Sequence, residues 1–208
     1  MSVGPIRLLI ADDHPVFRHG LAALIETEAH LVLVAEAATG REALEQYRQT
    51  RPDIVLMDLQ MPDMGGLDAI AAIRAEFPEA RIVVLTTYKG DVQASRAFQA
   101  GAQGYLLKSM VRKELTDTLD AVMAGRQHMS AEVRQELAEH LPGDRLSNRE
   151  SDVLSLVATG LSNKCVANRL GVSEETIKAH MKNILMKLDA RDRTHAVAIG
   201  IKRGIIEI

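Results

Sequence analysis

Cysteine is nearly missing from this sequence. Cys165 is the single one in 208 residues, which excludes any intramolecular disulfide and any multi-cysteine zinc site. Long apolar runs are missing too, and none approaches the roughly 18–20 residues of a membrane span. The stretch MSVGPIRLLIADDH reaches two aspartates after a short apolar run, which is not the pattern of an export signal. No internal repeat and no low-complexity tract interrupts the chain. Hydrophobic residues at 47% and charged residues at 25% exclude wholesale disorder. These absences predict a cytoplasmic protein with no membrane partner, built as one large domain or two small ones.

What is present is charge of two signs kept apart. The formal net charge is −3, yet residues 1–144 hold 14 Lys+Arg against 21 Asp+Glu, and residues 145–208 hold 11 against 7. An acidic part suits a cation and a basic part suits a polyanion. Chance scatter can also produce such a split, so the motifs decide.

Between residues 6 and 124 short apolar runs alternate with helical patterns. The runs are Ile6–Ala11, Leu31–Ala35, Ile54–Met57, Ile82–Leu85 and Tyr105–Leu107. Most are dense in Val, Ile and Leu, as strands buried on both faces of a parallel sheet should be. Phe17, Gly20, Leu21 and Leu24 follow the i, i+3, i+4, i+7 rule, and Ala69, Ile70 and Ile73 share another stripe. The pattern predicts an α/β domain with a doubly wound, five-stranded parallel sheet. Such sheets bind ligands outside the carboxyl ends of their strands. That singles out Asp12 and Asp13 after the first strand, Asp58 after the third, Thr86 after the fourth and Lys108 after the fifth.

Carboxylates at neighbouring strand ends crowd like charges, which favours a hard divalent ion such as Mg²⁺. A carboxylate is also a nucleophile for phosphoryl groups, forming an acyl phosphate. Lys108 can neutralise phosphoryl oxygens as charge develops, and Thr86 can donate a hydrogen bond to one of them. Each residue alone has a plainer reading. Asp12 or Asp13 can cap the helix opened by His14 and Pro15, and Lys108 can be a solvated strand-end lysine. The joint placement of all five at one edge is what distinguishes them.

In order and spacing, LLIADDHP, DIVLMDLQMPDMGGLDA, VVLTTY and GAQGYLLK resemble the receiver domain of a two-component response regulator, over more than half of the chain. The resemblance implies a flavodoxin-like fold in which Asp58 is phosphorylated by a sensor histidine kinase. It implies that Mg²⁺ is held by Asp13, Asp58 and the backbone carbonyl of Gln60, with Asp12 acting mainly through water. It further implies that Lys108 pairs with the phosphoryl group and that Thr86 and Tyr105 form a switch pair. Thr86 would move to the phosphoryl oxygen while the Tyr105 ring turns inward. An ordinary core aromatic is the alternative for Tyr105, and the switch requires only that this position be bistable. Two departures stand out. Ser109 follows Lys108 where many receivers have proline, leaving open whether that peptide is cis. Gly65 stands where an acidic residue is often seen, which predicts a more flexible loop after Asp58.

Residues 125–144 read as a linker holding one short polar helix, broken by Pro142 and Gly143. Residues 145–208 show four helices and no strand pattern. Ser147 with Glu150 forms a capping box for a helix through about Thr159, which Gly160 ends. Ser162 caps a second helix that Gly171 ends, and Ser173 caps a third to about Leu188. A last helix near Thr194–Arg203 is closed by Gly204.

Residues 162–188 carry the footprint of a helix-turn-helix reader. Val166, Ala167 and Leu170 give the first helix an apolar face. Ile177, Met181, Ile184 and Leu188 do the same for the next. Lys178 and Lys182 lie off that side with Ala179 and Asn183, in a set that suits phosphates and base edges. A solvated face is the plainer reading of the lysine pair. His180 reads as a packing or phosphate-contact residue, since no second metal ligand is suitably spaced.

The stretch LSNRESDVLSLVATGLSNKCVANRLGVSEETIKAHMKNILMKLDARDRTHAVAIGIKRGII resembles the LuxR-type DNA-binding domain along its whole length. That resemblance makes Ser173–Leu188 the recognition helix and the final helix the dimer contact. Lys178, Ala179 and Lys182 then match groove-facing positions. Cys165 stands where the family commonly has glutamate, three residues after Ser162. A thiol is a poor reciprocal acceptor, so that cap is expected to be weaker by roughly half to one kcal/mol. A buried inert thiol is the expectation for Cys165 over a redox sensor.

As a whole the chain resembles a response regulator of the NarL/FixJ type, with a receiver at 1–124, a linker at 125–144 and a LuxR-type DNA-binding domain at 145–208. The resemblance implies a transcription regulator and not an enzyme. Its partners would be a sensor histidine kinase, double-stranded DNA bound as a phosphorylation-favoured homodimer, and the transcription machinery. Two rivals remain. One is a DNA-binding regulator with a vestigial receiver, against which Asp13, Asp58, Thr86 and Lys108 argue. The other is a Mg²⁺-dependent aspartyl-phosphate phosphatase, which would need a substrate pocket or cap where the sequence offers short loops.

Overall fold

Residues 4–87, 90–130, 133–135 and 146–206 are described by the computed structural model. Within them the chain divides into two compact units. One comprises residues up to 87 together with 94–131, and the other 88–93 together with 132 onward.

The elements begin β1 (Ile6–Ala11), α1 (Pro15–Glu26), β2 (Leu31–Ala37), α2 (Gly40–Thr50), β3 (Ile54–Asp58) and α3 (Gly66–Glu76). They continue β4 (Ile82–Thr86), α4 (Asp91–Ala100), β5 (Gly104–Leu107), α5 (Val111–Met123) and β6 (His128–Met129). The sheet order is β2-β1-β3-β4-β5-β6, with every pairing parallel. Every residue of β3, β4 and β5 is buried, as two-sided coverage by helices requires. Leu8, Ile10, Ile54, Leu56, Val83 and Leu85 form one core with Leu21, Ile25, Leu115 and Leu119.

The sheet has six strands where five were expected. β6 is two residues long, too short to carry an alternation, and is recruited by backbone pairing of Gly104 with His128 and Tyr105 with Met129. β3 and β4 each run one residue past their apolar runs, so Asp58 and Thr86 end their strands instead of following them. On α1 the buried residues are Leu21 and Ile25, with Phe17 and Leu24 partly buried, whereas Gly20 is exposed. The stripe Ala69, Ile70 and Ile73 is buried as expected. The Lys108–Ser109 peptide is trans.

Further along lie α6 (Asn148–Ala158), α7 (Asn163–Leu170), α8 (Glu174–Lys187) and α9 (Arg193–Lys202). Local capping chemistry sets their starts. Ser147 and Glu150 form the reciprocal capping box, and the hydroxyls of Ser162 and Ser173 accept from Cys165 N and Thr176 N. Asp192 caps α9 by accepting from His195 N at 2.8 Å, a start the sequence reading had not assigned. Gly171 closes α7 at φ +67°, in the left-handed region, while Val172 N donates to Ala167 O. That tight turn leads directly into α8. Val153, Leu154, Val166, Ala167, Ile177, Met181, Ile184, Leu188 and Ala196 are buried together.

Cys165 is exposed, contrary to expectation. Helix phase explains this: Val166 and Ala167 face the core, and Cys165 sits just ahead of them on the outer side of the first turn. Of the expected linker helix, residues 133–135 are helical; Pro142 and Gly143 lie outside the described residues. No helix among the described residues is long and apolar enough to cross a membrane.

Candidate functional site

Strand register alone lines up the acidic edge. Ala11 pairs with Met57, so Asp12 stands opposite Asp58 at the point where the strand order reverses. Asp58 pairs with Leu85, which puts Thr86 one residue on, and Thr86 pairs with Leu107, which puts Lys108 next. Asp12, Asp58 and Thr86 are buried, and Asp13 lies at the rim.

Lys108 Nζ lies 2.7 Å from Oδ2 of both Asp12 and Asp58, hydrogen-bonded to Asp58 and ion-paired with Asp12. Burial pushes the Asp58 pKa up and the charge of Asp12 adds to this. Lys108 and the Gln60 N–H, 3.4 Å from Asp58 Oδ1, pull it back only in part. Burial works against the Lys108 ammonium, but its bonds to Asp12 and Asp58 win and hold its pKa above the ordinary lysine value. The Phe17 ring lies 4.8 Å from Nζ and offers its face to the same charge.

Ligand-capable atoms of Asp12, Asp13, His14 and Asp58 all lie within 4.8 Å of one another. Asp13 Oδ1 is buried and accepts no hydrogen bond, and Asp12 Oδ2 has no partner beyond the ion pair with Lys108. Close-set carboxylate oxygens that accept no hydrogen bond beyond their ion pairs fit a hard divalent cation. His14, read from sequence only as the helix opener, brings Nδ1 to 2.6 Å from Asp13 Oδ1.

On the next strands the side chains of Thr86 and Tyr105 are hydrogen-bonded, with Tyr105 fully buried and its pKa driven far up by that burial. The Phe98 ring centroid is 6.4 Å from that of Tyr105.

Gly66 was overlooked by sequence reasoning. A side chain there would run into the Asp58 carbonyl and come within 2.7 Å of Leu59 Cα, so only glycine lets α3 start this close to β3. The intervening loop, expected to be loosened by Gly65, is tied down. Gly66 N donates to Leu59 O, Gly40 N donates to Met64 O, and Arg41 pairs with Asp63. Beside the pocket, α1 and α5 border an apolar groove of about 590 Å³ lined by Val16, Phe17, Leu21, Leu24 and Val111, with Lys108 and Arg112 at its edge.

In the second unit Lys178, Ala179, Lys182 and Asn183 are all exposed, away from buried Ile177, Met181 and Ile184. The lysines are not equivalent. Lys178 Nζ lies 2.7 Å from Glu175 and 3.9 Å from Glu174, which hold its pKa up, whereas Lys182 has no ion-pair partner among the described residues.

A doubly wound sheet with an acidic pocket at its switch point, in one chain with a helix-turn-helix unit, defines a signal-receiving transcription regulator. The model of the response regulator receiver domain matches residues 8–120, and that of the bacterial regulatory proteins of the luxR family matches residues 144–199. The chain belongs to the two-component response regulators, with a receiver and a LuxR-type DNA-binding domain. It is 40% identical to the uncharacterized transcriptional regulatory protein YhcZ of Bacillus subtilis, over 96% of this chain and 97% of that one. It is 36% identical to the nitrate/nitrite response regulator protein homolog of Haemophilus influenzae, over 93% and 95%. RcsB from Salmonella enterica serovar Typhimurium, solved bound to promoter P1flhDC in the presence of the phosphomimetic BeF3⁻, matches with a TM-score of 0.72 at 26% identity, over 94% of this chain and 98% of that one.

Proposed function

We propose that Asp58 accepts a phosphoryl group from a sensor histidine kinase and that this controls a cytoplasmic, dimeric DNA-binding regulator acting on the transcription machinery. The observation that carries the reading is the Lys108 ammonium bridging Asp58 and Asp12, with a buried oxygen of Asp13 close by that meets only the His14 ring among the described ion pairs. An Asp58 carboxylate oxygen attacks phosphorus, the P–N bond of the phosphohistidine breaks, and the imidazole leaves with its electron pair. Lys108 transfers its hydrogen bond from Asp58 to a phosphoryl oxygen, and the Thr86 hydroxyl reaches another. Asp13, Asp58 and the Gln60 carbonyl, with Asp12 through water, would hold Mg²⁺, which supplies charge neutralisation on the transferring group. The apolar groove along α1 lies beside this pocket and suits an apolar surface of the kinase that delivers the phosphoryl group.

Thr86 and Tyr105 act as a unit because they already share a hydrogen bond, so drawing Thr86 to the phosphoryl group changes what holds Tyr105. We assign the receiver to residues 1–124, the linker to 125–144 and the DNA-binding domain to 145–208. In the latter, α8 enters the major groove, with Lys178, Ala179, Lys182 and Asn183 facing it and α9 at the dimer contact.

Lys182→Ala weakens binding to a fluorescent duplex, and the slope of log affinity against log salt falls by about one unit. Glu175→Gln does the reverse, because Lys178 no longer has to leave that carboxylate for DNA. Anisotropy titrations at several salt concentrations measure both; unchanged binding in Lys182→Ala counts against α8 as the reading helix.

A further inference from the structure

Arg18 sits on α1 and is mostly covered, its side chain 17% exposed. Its Nη1 donates to the backbone carbonyl of Asp12 at 2.6 Å, and its Nε reaches Glu36 Oε2 on β2 at 3.3 Å. The guanidinium thus links α1, the end of β1 and the neighbouring strand, with Glu36 steadying it from the far side. An arginine fork is suited to holding two such acceptors at once.

The carbonyl it grips belongs to the peptide unit joining Asp12 to Asp13. That unit is planar, so fixing its oxygen fixes the direction in which the chain enters Asp13. Asp12 pins the rest of the turn as well. Asp12 N donates to Ala37 O at 3.0 Å, and Asp12 Oδ1 accepts from His14 N at 2.9 Å. The Asp13 carboxylate is ion-paired with the His14 ring, Nδ1 lying 2.6 Å from Oδ1, and among the described residues no backbone N–H donates to that oxygen. Its aim into the pocket therefore depends on the Asp12–Asp13 peptide plane together with the half-exposed contact to His14.

We propose that Arg18 is a positioning residue for the divalent-cation site, orienting Asp13 through the Asp12 carbonyl. The proposal rests on reading the acidic pocket as a cation site, and the test separates the two.

Mn²⁺ binding to the full chain, followed by the loss of the free-ion electron paramagnetic resonance signal, is compared across wild type, Arg18→Ala, Arg18→Lys, Glu36→Gln and Asp13→Asn, with thermal melts on each. Loss of a partner that orients a ligand weakens metal binding by about tenfold or more. Arg18→Ala should fall by about that factor. Arg18→Lys should fall between it and wild type, since an ammonium can hold the carbonyl without the fork. Glu36→Gln should fall least. Saturating Mn²⁺ should restore the maximal rate of Asp58 labelling in Arg18→Ala, so that the defect is one of affinity. Should Arg18→Ala not fold, the smaller loss expected of Arg18→Lys, with Glu36→Gln falling least, carries the test.

Unchanged or tighter Mn²⁺ binding in folded Arg18 variants, with binding lost in Asp13→Asn, overturns the positioning role and leaves the cation site standing. Binding as tight as wild type in Asp13→Asn removes Asp13 from the cation site and overturns the Arg18 proposal with it.

Discussion

Replacing Asp58 by asparagine reduces labelling of the chain by acetyl phosphate, with Mg²⁺ present, to background. An amide oxygen is a far weaker nucleophile than a carboxylate and yields no stable acyl phosphate, so the loss is complete and not graded. Asp12 and Asp13 do not substitute. Asp12 is buried behind the ion pair with Lys108, and Asp13 lies at the rim beside His14. The fold survives the change. The folded-state pKa of Asp58 is raised by burial and by Asp12, so its ionised form costs stability above the ordinary carboxylate range. That cost is lifted as pH falls through the raised pKa, and asparagine lifts it at neutral pH. The melting temperature of the variant in metal-free buffer should therefore rise. Phosphorylation followed by intact-mass spectrometry reads the first outcome and calorimetry the second. Labelling that persists in Asp58→Asn would refute the acceptor assignment. Wild-type chain that takes no label with Mg²⁺ would point to a vestigial receiver.

Glu150→Ala should lose about 2–4 kcal/mol of stability in the helical unit. Glu150 is nearly fully buried, and its carboxylate accepts from Ser147 N at 2.7 Å, Ser147 Oγ at 2.9 Å and Lys187 Nζ at 2.7 Å. About 1 kcal/mol of the loss is the cap of α6. The rest comes from leaving the partly covered Lys187 ammonium without its counter-charge. The pH dependence has a definite sign. Burial pushes the Glu150 pKa up, but Lys187 and the Ser147 donors outweigh it and hold it below the ordinary glutamate value. The ion pair thus contributes fully above the ordinary glutamate range and is lost as pH falls through the depressed folded value. The gap between wild type and Glu150→Gln should close over that same acid range. Hydrogen exchange on peptides from 146–206 isolates this unit from the first. Protection in Glu150→Ala equal to wild type would show that the buried carboxylate contributes little.

The two groups of residues were legible in the sequence to different degrees. Asp12, Asp13, Asp58, Thr86 and Lys108 stand out because each follows or ends an apolar run, and parallel register then brings run ends to one edge. Helix starts at Ser147, Ser162 and Ser173 were equally readable, since capping acts over three residues. β6 was not, because two residues paired through backbone atoms leave no side-chain pattern. The exposure of Cys165 was recoverable from helix phase, as the apolar face of α7 begins at Val166.

By itself, then, the sequence determined whatever is local or periodic: strand and helix identity, the caps, the acidic and basic division of the chain, and the motifs that mark its family. Only the tertiary structure decided which charges are already spent. Lys178 is held by Glu175, Lys187 by Glu150, and Lys108 by Asp12 and Asp58 together, while Arg18 grips the peptide that aims Asp13. Most of these pairs join residues tens of positions apart, and even within one helix side-chain direction selects the partner. Coulomb and hydrogen-bond energies depend on ångströms and on burial, and neither quantity is written in a residue's type or its spacing along the chain.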